Sequence, residues 1–364
     1  MYLLAIDWLF IIEKLVLIAL IVILCMVVAM YATYAERKVA AFIQDRYGPN
    51  RAGPFGLLQP LADGGKLFFK EEIIPLASSK FLFILGPSLA MVTALITSAV
   101  IPWGSSILIS NKAIPLQVAD INIGVLYVFA VVSLGVYGIM IGAWASNNKF
   151  SLLSGIRSAS QMISYELAMG LSLIALLMVT GSLQMGEIVK SQQGGAFGDL
   201  MSWNIWKQPL GFLIFFICAL AECNRNPFDL AEAESELNMG YHQEYSSMKL
   251  GFFLFAEYIN MFMSGILMST LFWGGYDIPF VNEASLAQSI GENWVAFLTY
   301  CSLMAKACIS MFLFMWIRWT IPRFRFDQLM HLGWKRLVPL ALLNMVITAV
   351  LILAWPQIKD FFGW

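Results

Sequence analysis

Charged residues are scarce in this sequence. Asp, Glu, Lys and Arg make up 12% of its 364 residues, whereas a soluble domain carries about 25%. Hydrophobic residues account for 60%, and the mean hydropathy is +0.75. The shortage of charge excludes an ordinary water-soluble domain and predicts an integral membrane protein.

Side chains that bind metals or redox cofactors are also rare. The sequence has two histidines, His242 and His331, and five cysteines without CxxC spacing. It lacks the GxGxxG motif and the phosphate-binding loop that many nucleotide-binding chains carry. We therefore expect inert core thiols and no redox centre in this chain.

Long apolar runs are what the sequence does contain, each long enough to cross a bilayer or nearly so. The first run has no basic segment and no cleavage site before it, so we interpret it as a retained helix. The runs lie near 12–34, 81–101, 122–145, 162–181, 209–222, 250–273, 295–317 and 337–356. They predict an all-α membrane protein with about eight transmembrane helices, the fifth of them short, in one polytopic domain over residues 1–364.

Lys and Arg are distributed unevenly between the loops. The loops after the first, third, fifth and seventh spans hold 16 of the 22 basic residues, while the other loops and the termini hold four. Because basic residues are enriched in cytoplasmic loops, this predicts cytoplasmic loops at about 35–80, 146–161, 223–249 and 318–336. Both termini are then predicted on the non-cytoplasmic side.

The third cytoplasmic loop gathers four carboxylates in the stretch NPFDLAEAESELNMG. Asn226 is a suitable helix N-cap, and Pro227 suits the first helical position. Gly240 is a suitable C-terminal stop. Together these signals predict a short helix over this acidic stretch.

On that helix Asp229, Glu232 and Glu236 would share one face, with Glu234 turned away. Glu232 and Glu236 repel across one helical turn, so their presence points to a role other than helix stability. Two simpler interpretations stay open. Asp229 could complement the helix dipole, and the whole acid-rich loop could be a solvated face.

Three further carboxylates, Glu166, Glu222 and Glu257, lie within or at the edge of predicted spans. Ionisable groups inside a bilayer are costly and commonly mark ion or proton paths. Closely coupled acids share protons as a group, so such a chain can store and relay them. The structural alternative is an ion pair within the bundle, for instance with Lys306 of the seventh span.

The first cytoplasmic loop contains an amphipathic segment around Lys66 and Lys70. Its pattern is typical of a segment lying in the headgroup plane. The apolar residues of this segment are Phe55, Leu57, Leu58, Leu61, Phe68 and Phe69. Plain interfacial anchoring is the simpler explanation.

The last cytoplasmic loop, IRWTIPRFRFDQLMHLGWKR, combines basic and aromatic residues. Its basic residues are Arg318, Arg323, Arg325, Lys335 and Arg336. Binding to lipid headgroups is the simpler explanation of this pattern.

Three of these loop segments carry a resemblance to a known family. They are AERKVAAFIQDRYGPNRAGPFGLLQPLADGGKLFFKE, RNPFDLAEAESELNMGY and WIRWTIPRFRFDQLMHLGWK. In this order, and with this number of spans, they resemble the H subunit of proton-pumping NADH:quinone oxidoreductase, respiratory complex I. The segments around 183–208 and 276–295 match no motif of that family.

The resemblance implies a membrane subunit at the foot of the peripheral arm, whose cavity admits quinone and links its reduction to proton translocation. Quinone, as ubiquinone or menaquinone, is then the substrate, and FMN and iron–sulfur clusters belong to partner subunits. The implied partners are peripheral quinone-site subunits, antiporter-like membrane subunits and lipid, without nucleic acid. The implied location is a bacterial inner membrane, with the mitochondrial inner membrane as the alternative.

The resemblance also assigns site residues by their position in the motifs. Those expected along the quinone access path and chamber are Glu36, Arg37, Arg46, Asp63, Arg318 and Arg323. Those expected in an acidic proton path are Glu166, Glu222, Asp229, Glu232, Glu234, Glu236 and Glu257.

Two other functions stay open from the residues alone. A stand-alone proton or cation transporter would use Glu257, Lys306 and the acidic stretch, and it predicts transport by the purified chain. A structural anchor would dock soluble redox subunits through the charged loops. It predicts that neutralising Glu232 and Glu236 leaves activity intact.

Overall fold

The computed structural model describes residues 8–109, 112–193, 202–231, 234–281 and 283–362. The chain is predominantly helical, and a π-helical turn at Gly333–Leu337 joins its last two helices. The helices are α1 (Trp8–Ile43), α2 (Gln59–Phe69), α3 (Lys80–Ile96), α4 (Gly124–Ala145), α5 (Lys149–Thr180), α6 (Met185–Lys190), α7 (Asn204–Lys207), α8 (Pro209–Glu222), α9 (Glu234–Leu237), α10 (Ser247–Phe272), α11 (Glu283–Ile290), α12 (Glu292–Thr320), α13 (Phe326–Leu332) and α14 (Val338–Phe362).

Seven helical segments of the described chain are long and apolar enough to cross a bilayer. They are α1, α3, α4, α5, α10, α12 and the joined segment Phe326–Ala354. An eighth apolar helix, α8, is shorter, at Pro209–Glu222. The predicted all-α membrane fold is confirmed, and the short fifth run corresponds to α8.

Two helices extend beyond the apolar runs that predicted them. α1 continues to Ile43, so Glu36 and Arg37 lie on the helix and not in the following loop. α5 begins at Lys149, where the side chain of Asn148 caps it by accepting a hydrogen bond from the amide of Phe150 at 3.0 Å. Most of the predicted loop 146–161 is therefore helical. Hydropathy marks only the apolar part of a helix, so polar extensions escape it.

The acidic stretch does not form the predicted helix starting at Asn226. Residues 226–231 form turns, and the single-turn helix α9 begins only at Glu234. Carbonyl oxygens that a helix would use internally instead accept hydrogen bonds from α5 and from the segment after α12. These are the carbonyls of Pro227, Phe228 and Ala231. The prediction was wrong for this half of the stretch because tertiary hydrogen bonds replace the helical ones.

A small β-hairpin connects α3 to α4 and was not predicted. Strands β1 (Ser106–Ile109) and β2 (Lys112–Pro115) pair antiparallel, with Ser106 opposite Pro115. It is the one sheet within the described residues. Its addition leaves the helical character of the fold unchanged.

Close packing between helices depends on small residues. A Cβ atom added to Gly86 of α3 would lie 2.7 Å from the Cα atom of Gly142 of α4. Without side chains at such positions, the helix backbones approach closely. α5 packs against α4, α8 and α14, while α10 packs against α1, α3 and α12. The acids of α1, α5, α8 and α10 are thereby brought into one bundle.

Candidate functional site

A group of buried charged side chains lies where α1 meets α10, α12 and the segment after α8. Glu36 of α1 is 6% exposed. Its carboxylate accepts a hydrogen bond from the Tyr258 hydroxyl at 3.0 Å. It lies 2.6 Å from Nη1 of Arg318 and 3.3 Å from Nη1 of Arg225. Two cations thus offset the cost of burying this carboxylate.

Arg225 connects Glu36 to a second buried carboxylate. Its Nη2 atom lies 3.8 Å from Oε2 of Glu257, and its guanidinium stacks on the ring of Tyr258 at 4.2 Å. The Tyr241 hydroxyl donates to Oε1 of Glu257 at 2.8 Å. We call the four charged residues the charged cluster: Glu36, Arg225, Glu257 and Arg318.

The charged cluster contains two carboxylates and two guanidinium groups. Removing an ion from water costs several kcal/mol, and a buried partner offsets this cost only while it stays in place. Loss of one member would leave an uncompensated buried charge. For the same reason, any charge that appears or disappears beside the cluster acts on all four groups.

A further ion pair, between a buried carboxylate and an exposed guanidinium, lies beside the charged cluster. Asp229 is 3% exposed, and its Oδ2 atom lies 3.3 Å from Nη2 of Arg323. The side-chain amide of Asn226 donates to the carbonyl of Arg318 at 3.3 Å. The first part of the acidic stretch is thereby docked onto the end of α12 and the basic segment that follows it.

A cavity of about 280 Å³ opens between α1, α2 and α10. Leu254 and Phe255 contribute to its largely apolar lining, and Arg37 and Asp63, 2.7 Å apart, contribute charge. Tyr258, whose hydroxyl reaches the charged cluster, lines it as well. Among the described residues, no group of three His, Cys, Asp or Glu side chains is placed to hold a metal ion. The cavity suits an amphiphilic molecule with an apolar tail and a polar head.

A smaller cavity of about 30 Å³ is lined by both Glu222 and Glu257. Thr93, Thr97 and Asn260 add polar groups to its lining. The Oε2 atom of Glu222 is buried and has no hydrogen-bond partner within the described chain. A polar cavity of this size accommodates a water molecule when several polar groups face it. Such a water would connect Glu222 with Glu257.

Glu166 of α5 adds a further acid beside Glu222. The Ser133 hydroxyl donates a hydrogen bond to Glu166, which lies close enough to Glu222 to interact with it electrostatically. Glu166 is partly exposed on the surface of the bundle, although it lies within the predicted span 162–181. A carboxylate facing hydrocarbon is costly.

Comparison with known proteins identifies the family of this chain. The NADH dehydrogenase family matches residues 15–349. The NADH-quinone oxidoreductase H subunit 1 of Cytophaga hutchinsonii is 61% identical over 344 residues, which cover 94% of this chain and 98% of that protein. The NADH-quinone oxidoreductase H subunit of Flavobacterium psychrophilum is 59% identical over 347 residues, covering 95% and 99%. NADH-quinone oxidoreductase subunit 8 of Rhodothermus marinus is 46% identical over 339 residues, covering 92% and 96%.

The chain belongs to the H-subunit family of NADH-quinone oxidoreductase.

Membership in this family confirms the resemblance carried by the three loop motifs. It makes the chain a multi-pass membrane subunit of an oxidoreductase complex, with other subunits of that complex as its partners.

Most site residues assigned by the family motifs lie close together. The charged cluster, the Asp229–Arg323 pair and the cavity lining with Arg37 and Asp63 form one continuous region. Arg46 lies apart from it. Its side chain is exposed, its Nε atom donates to Gln44 at 2.6 Å, and the lining of the cavity does not include it.

The acidic stretch divides into a buried part and an exposed part. Asp229 is buried, whereas the Glu236 carboxylate is exposed and lies 2.9 Å from Nη1 of Arg157. The prediction that they share a helical face is wrong, because the helix does not include residue 229. Glu232 and the side chain of Glu234 lie outside the part of the chain that the structure describes.

The structural alternative proposed that Lys306 pairs with the acids of the spans. The structure shows other partners for it. Its Nζ atom donates to the carbonyls of Gly275 and Asp277 at 2.9 and 2.7 Å. It also lies 4.6 Å from the ring of Trp203. We call Lys306, Asp277 and Trp203 the lysine site. It is separate from Glu166, Glu222 and Glu257, so it does not account for them.

Sequence reasoning missed three residues of this region, Arg225, Tyr241 and Tyr258. Arg225 comes shortly after Glu222, the last residue of α8. A cation so close in sequence to an acid at the edge of a span could have identified it. The two tyrosines belong to a set of 12 in the chain. No local pattern distinguishes them from the others, because only the fold brings their hydroxyls to Glu257 and Glu36.

Proposed function

We propose that this chain forms the quinone access path and part of the quinone chamber, and that its buried acids couple quinone reduction to proton translocation. The observation that carries the proposal is the cavity between α1, α2 and α10, which reaches the charged cluster at Tyr258. An isoprenoid quinone has the apolar tail and polar head that such a lining accommodates.

Ubiquinone or menaquinone is the proposed substrate. The names of the relatives designate NADH-quinone oxidoreductase, and we assign FMN and the iron–sulfur clusters to partner subunits. Peripheral subunits complete the quinone site, and antiporter-like subunits adjoin the membrane part. This chain then binds quinone, excludes water from it and responds to the charge that quinone reduction creates. Electron transfer occurs in the partner subunits.

Access to the cavity is proposed to run past α2, which carries the amphipathic segment. Arg37 and Asp63 form an exposed ion pair at the cavity and would contact the polar head as it passes. Leu254 and Phe255 of α10 would contact the tail. Arg46 is exposed on a turn after α1, and its predicted place on the quinone access path stays a prediction.

Reduction of quinone next to the charged cluster adds negative charge and consumes protons. The guanidinium groups of Arg225 and Arg318 are attracted towards that charge. A carboxylate that loses part of its contact with a cation binds a proton more strongly. Glu36 and Glu257 are thus the groups that would take up protons in response to turnover, because each contacts Arg225.

The proton path is proposed to continue through the small cavity. Glu257 and Glu222 both line it, and a water there would complete the connection. Glu166 lies next along the path and is partly exposed, so the neighbouring membrane subunit would receive the proton there. The acidic stretch would admit protons from the cytoplasmic side. Its members are Asp229, Glu232, Glu234 and Glu236.

A bacterial inner membrane is the proposed location, in keeping with the bacterial relatives. Both termini are assigned to the non-cytoplasmic side, since the loops at the opposite ends of the spans hold most of the Lys and Arg residues. A cysteine or tag accessibility assay on either terminus in oriented vesicles tests this orientation.

The test of the coupling role is Glu257→Gln in the assembled complex. The amide keeps the size of the side chain but cannot carry a proton, and a positioned acid–base group contributes about a hundredfold or more to proton transfer. We expect proton translocation to fall by about that factor, measured by NADH-driven acidification of inverted vesicles. Glu187→Gln, on an exposed acid of α6, is the matched control.

Each competing function has its own outcome. Unchanged quinone reduction and proton translocation in Glu257→Gln would contradict the proposal and leave the anchor as the explanation. Proton transport by the purified chain in liposomes, without any partner, would support a stand-alone transporter. The proposal expects neither result.

A further inference from the structure

The buried face of α5 carries a row of polar side chains that the proposed path does not use. Ser151, Ser154, Ser158 and Gln161 recur every three or four residues and therefore lie on one helical face. All four are fully buried. We call them the polar row.

Three members of the polar row, Ser151, Ser154 and Gln161, donate hydrogen bonds to residues outside α5, and Ser158 donates both to Met162 of α5 and to Asn224. Ser151 donates to the carbonyl of Tyr241 at 2.9 Å, and Ser154 donates to the carbonyl of Ala231. Ser172 of the same helix is equally buried, yet its hydroxyl bonds to a carbonyl of α5 itself. The polar row thus fastens the segment that connects α8 to α10, in contrast to other buried serines of the helix.

Gln161 holds this segment on both sides of Arg225. Its Nε2 atom donates to the carbonyl of Ala221 at 2.8 Å and to the carbonyl of Phe228 at 2.7 Å. Oδ1 of Asn224 lies 3.2 Å from the same nitrogen. α8 ends at Glu222, and the backbone from Cys223 to Phe228 is not helical. Its position therefore depends on bonds from outside, and Gln161 supplies two of them.

We propose that Gln161 is a positioning residue for the coupling step, because it holds the guanidinium of Arg225 between Glu36 and Glu257. The inference rests on the proposed function, in which Arg225 transmits charge between these two carboxylates. Gln161 itself contacts neither the substrate nor the transferred proton.

The first experiment replaces Gln161 by Met in the assembled complex. Met has a similar size but no N–H group, so the buried carbonyl of Phe228 loses its donor and the carbonyl of Ala221 keeps only the backbone amide of Asn224. An unpaired buried acceptor costs enough to shift an equilibrium by about tenfold. We expect the number of protons translocated per quinone reduced to fall by about that factor. Ser172→Ala, which removes a buried hydroxyl bonded only within α5, should leave this ratio unchanged.

The second experiment replaces Gln161 by Glu and varies the assay pH. The carboxyl group donates a hydrogen bond to the segment only while it holds a proton. Coupling in Gln161→Glu should therefore be partly restored at acidic pH and lost as the pH rises, relative to the unmodified complex at each pH. A folding defect would not reverse with assay pH in the same membranes.

Several results would overturn the positioning role. One is a fully assembled Gln161→Met complex with an unchanged proton-to-quinone ratio. Another is less complex but an unchanged ratio per assembled complex, since that shows a structural role alone. If Gln161→Met does not assemble, the pH response of Gln161→Glu decides. Failure of both variants to assemble also overturns the role.

The failure of this inference differs from failure of the proposed function. If Glu257→Gln keeps full proton translocation, the coupling path itself is wrong. If Glu257→Gln loses translocation and Gln161→Met does not, only the positioning role is wrong.

Discussion

Two buried groups of charge in this molecule are built in different ways. In the charged cluster, Glu36 lies between two guanidinium groups, and Arg225 lies between two carboxylates. In the lysine site, the Lys306 ammonium donates to two backbone carbonyls and packs against Trp203. The charged cluster borders a cavity at Tyr258, whereas the cavities described above include neither Lys306 nor Asp277 in their lining.

Under the proposed function, this difference separates a buried group that relays protons from one that stabilises the fold. Where a carboxylate contacts a guanidinium, the proton affinity of the carboxylate changes when the guanidinium moves or is lost. Where an ammonium binds carbonyls, its bonds fasten a turn, here the one after α10, to α12. We therefore expect perturbation of the charged cluster to alter coupling and perturbation of the lysine site to alter stability.

The largest effect is expected from Arg225→Met. The substitution leaves Glu36 and Glu257 without their shared cation, and breaking a buried ion pair costs about 3–5 kcal/mol. We expect a loss of complex stability of that order, measured by thermal inactivation, together with loss of quinone reduction. Arg225→Lys, which keeps the charge but not the two-sided geometry, should be intermediate. A stable Arg225→Met complex with normal quinone reduction would contradict the distinction between the charged cluster and the lysine site.

A smaller effect is expected from Lys306→Met. The carbonyl of Gly275 loses its donor, which costs about 1–3 kcal/mol for a buried acceptor, while the carbonyl of Asp277 keeps the Ser302 hydroxyl. Thermal inactivation should occur at lower temperature, while each assembled complex translocates the normal number of protons per quinone. A reduced proton ratio with normal stability would instead make the lysine site part of the path.

The smallest effect on stability is expected from Glu236→Gln. Its pair with Arg157 is exposed, and such pairs contribute less than about 1 kcal/mol and are screened by salt. The thermal stability of the variant should match that of the unmodified complex, most closely at high ionic strength. Asp229→Asn, at the buried end of the same stretch, is the contrasting variant and should be clearly less stable. Equal effects would contradict the division into buried and exposed parts.

Much of the fold could be predicted because it depends on local composition. Runs of apolar residues identified the spans, including the short α8, since burying such runs in lipid requires helices. The same reasoning found Glu166, Glu222 and Glu257, because a carboxylate stands out in an apolar run. The roles of these acids, like those of Glu232, Glu234 and Glu236, stay predictions.

The conformation of the acidic stretch shows where prediction from local signals stops. Asn226 and Pro227 are sound helix-start signals, yet the carbonyls that follow them bond to other elements. The energy of those tertiary bonds is absent from any local pattern. Intrinsic helix propensity determines the backbone conformation only where tertiary packing does not override it.

The sequence by itself determined that the chain crosses a membrane, which segments cross it and which acids lie within them. These properties follow from the cost of placing each residue in hydrocarbon, which depends mainly on its own side chain and its neighbours along the chain. Only the tertiary structure decided that Arg225 lies between Glu36 and Glu257, and that Gln161 holds the backbone on either side of it. Such contacts join residues far apart in sequence, and their geometry exists only once the helices have packed.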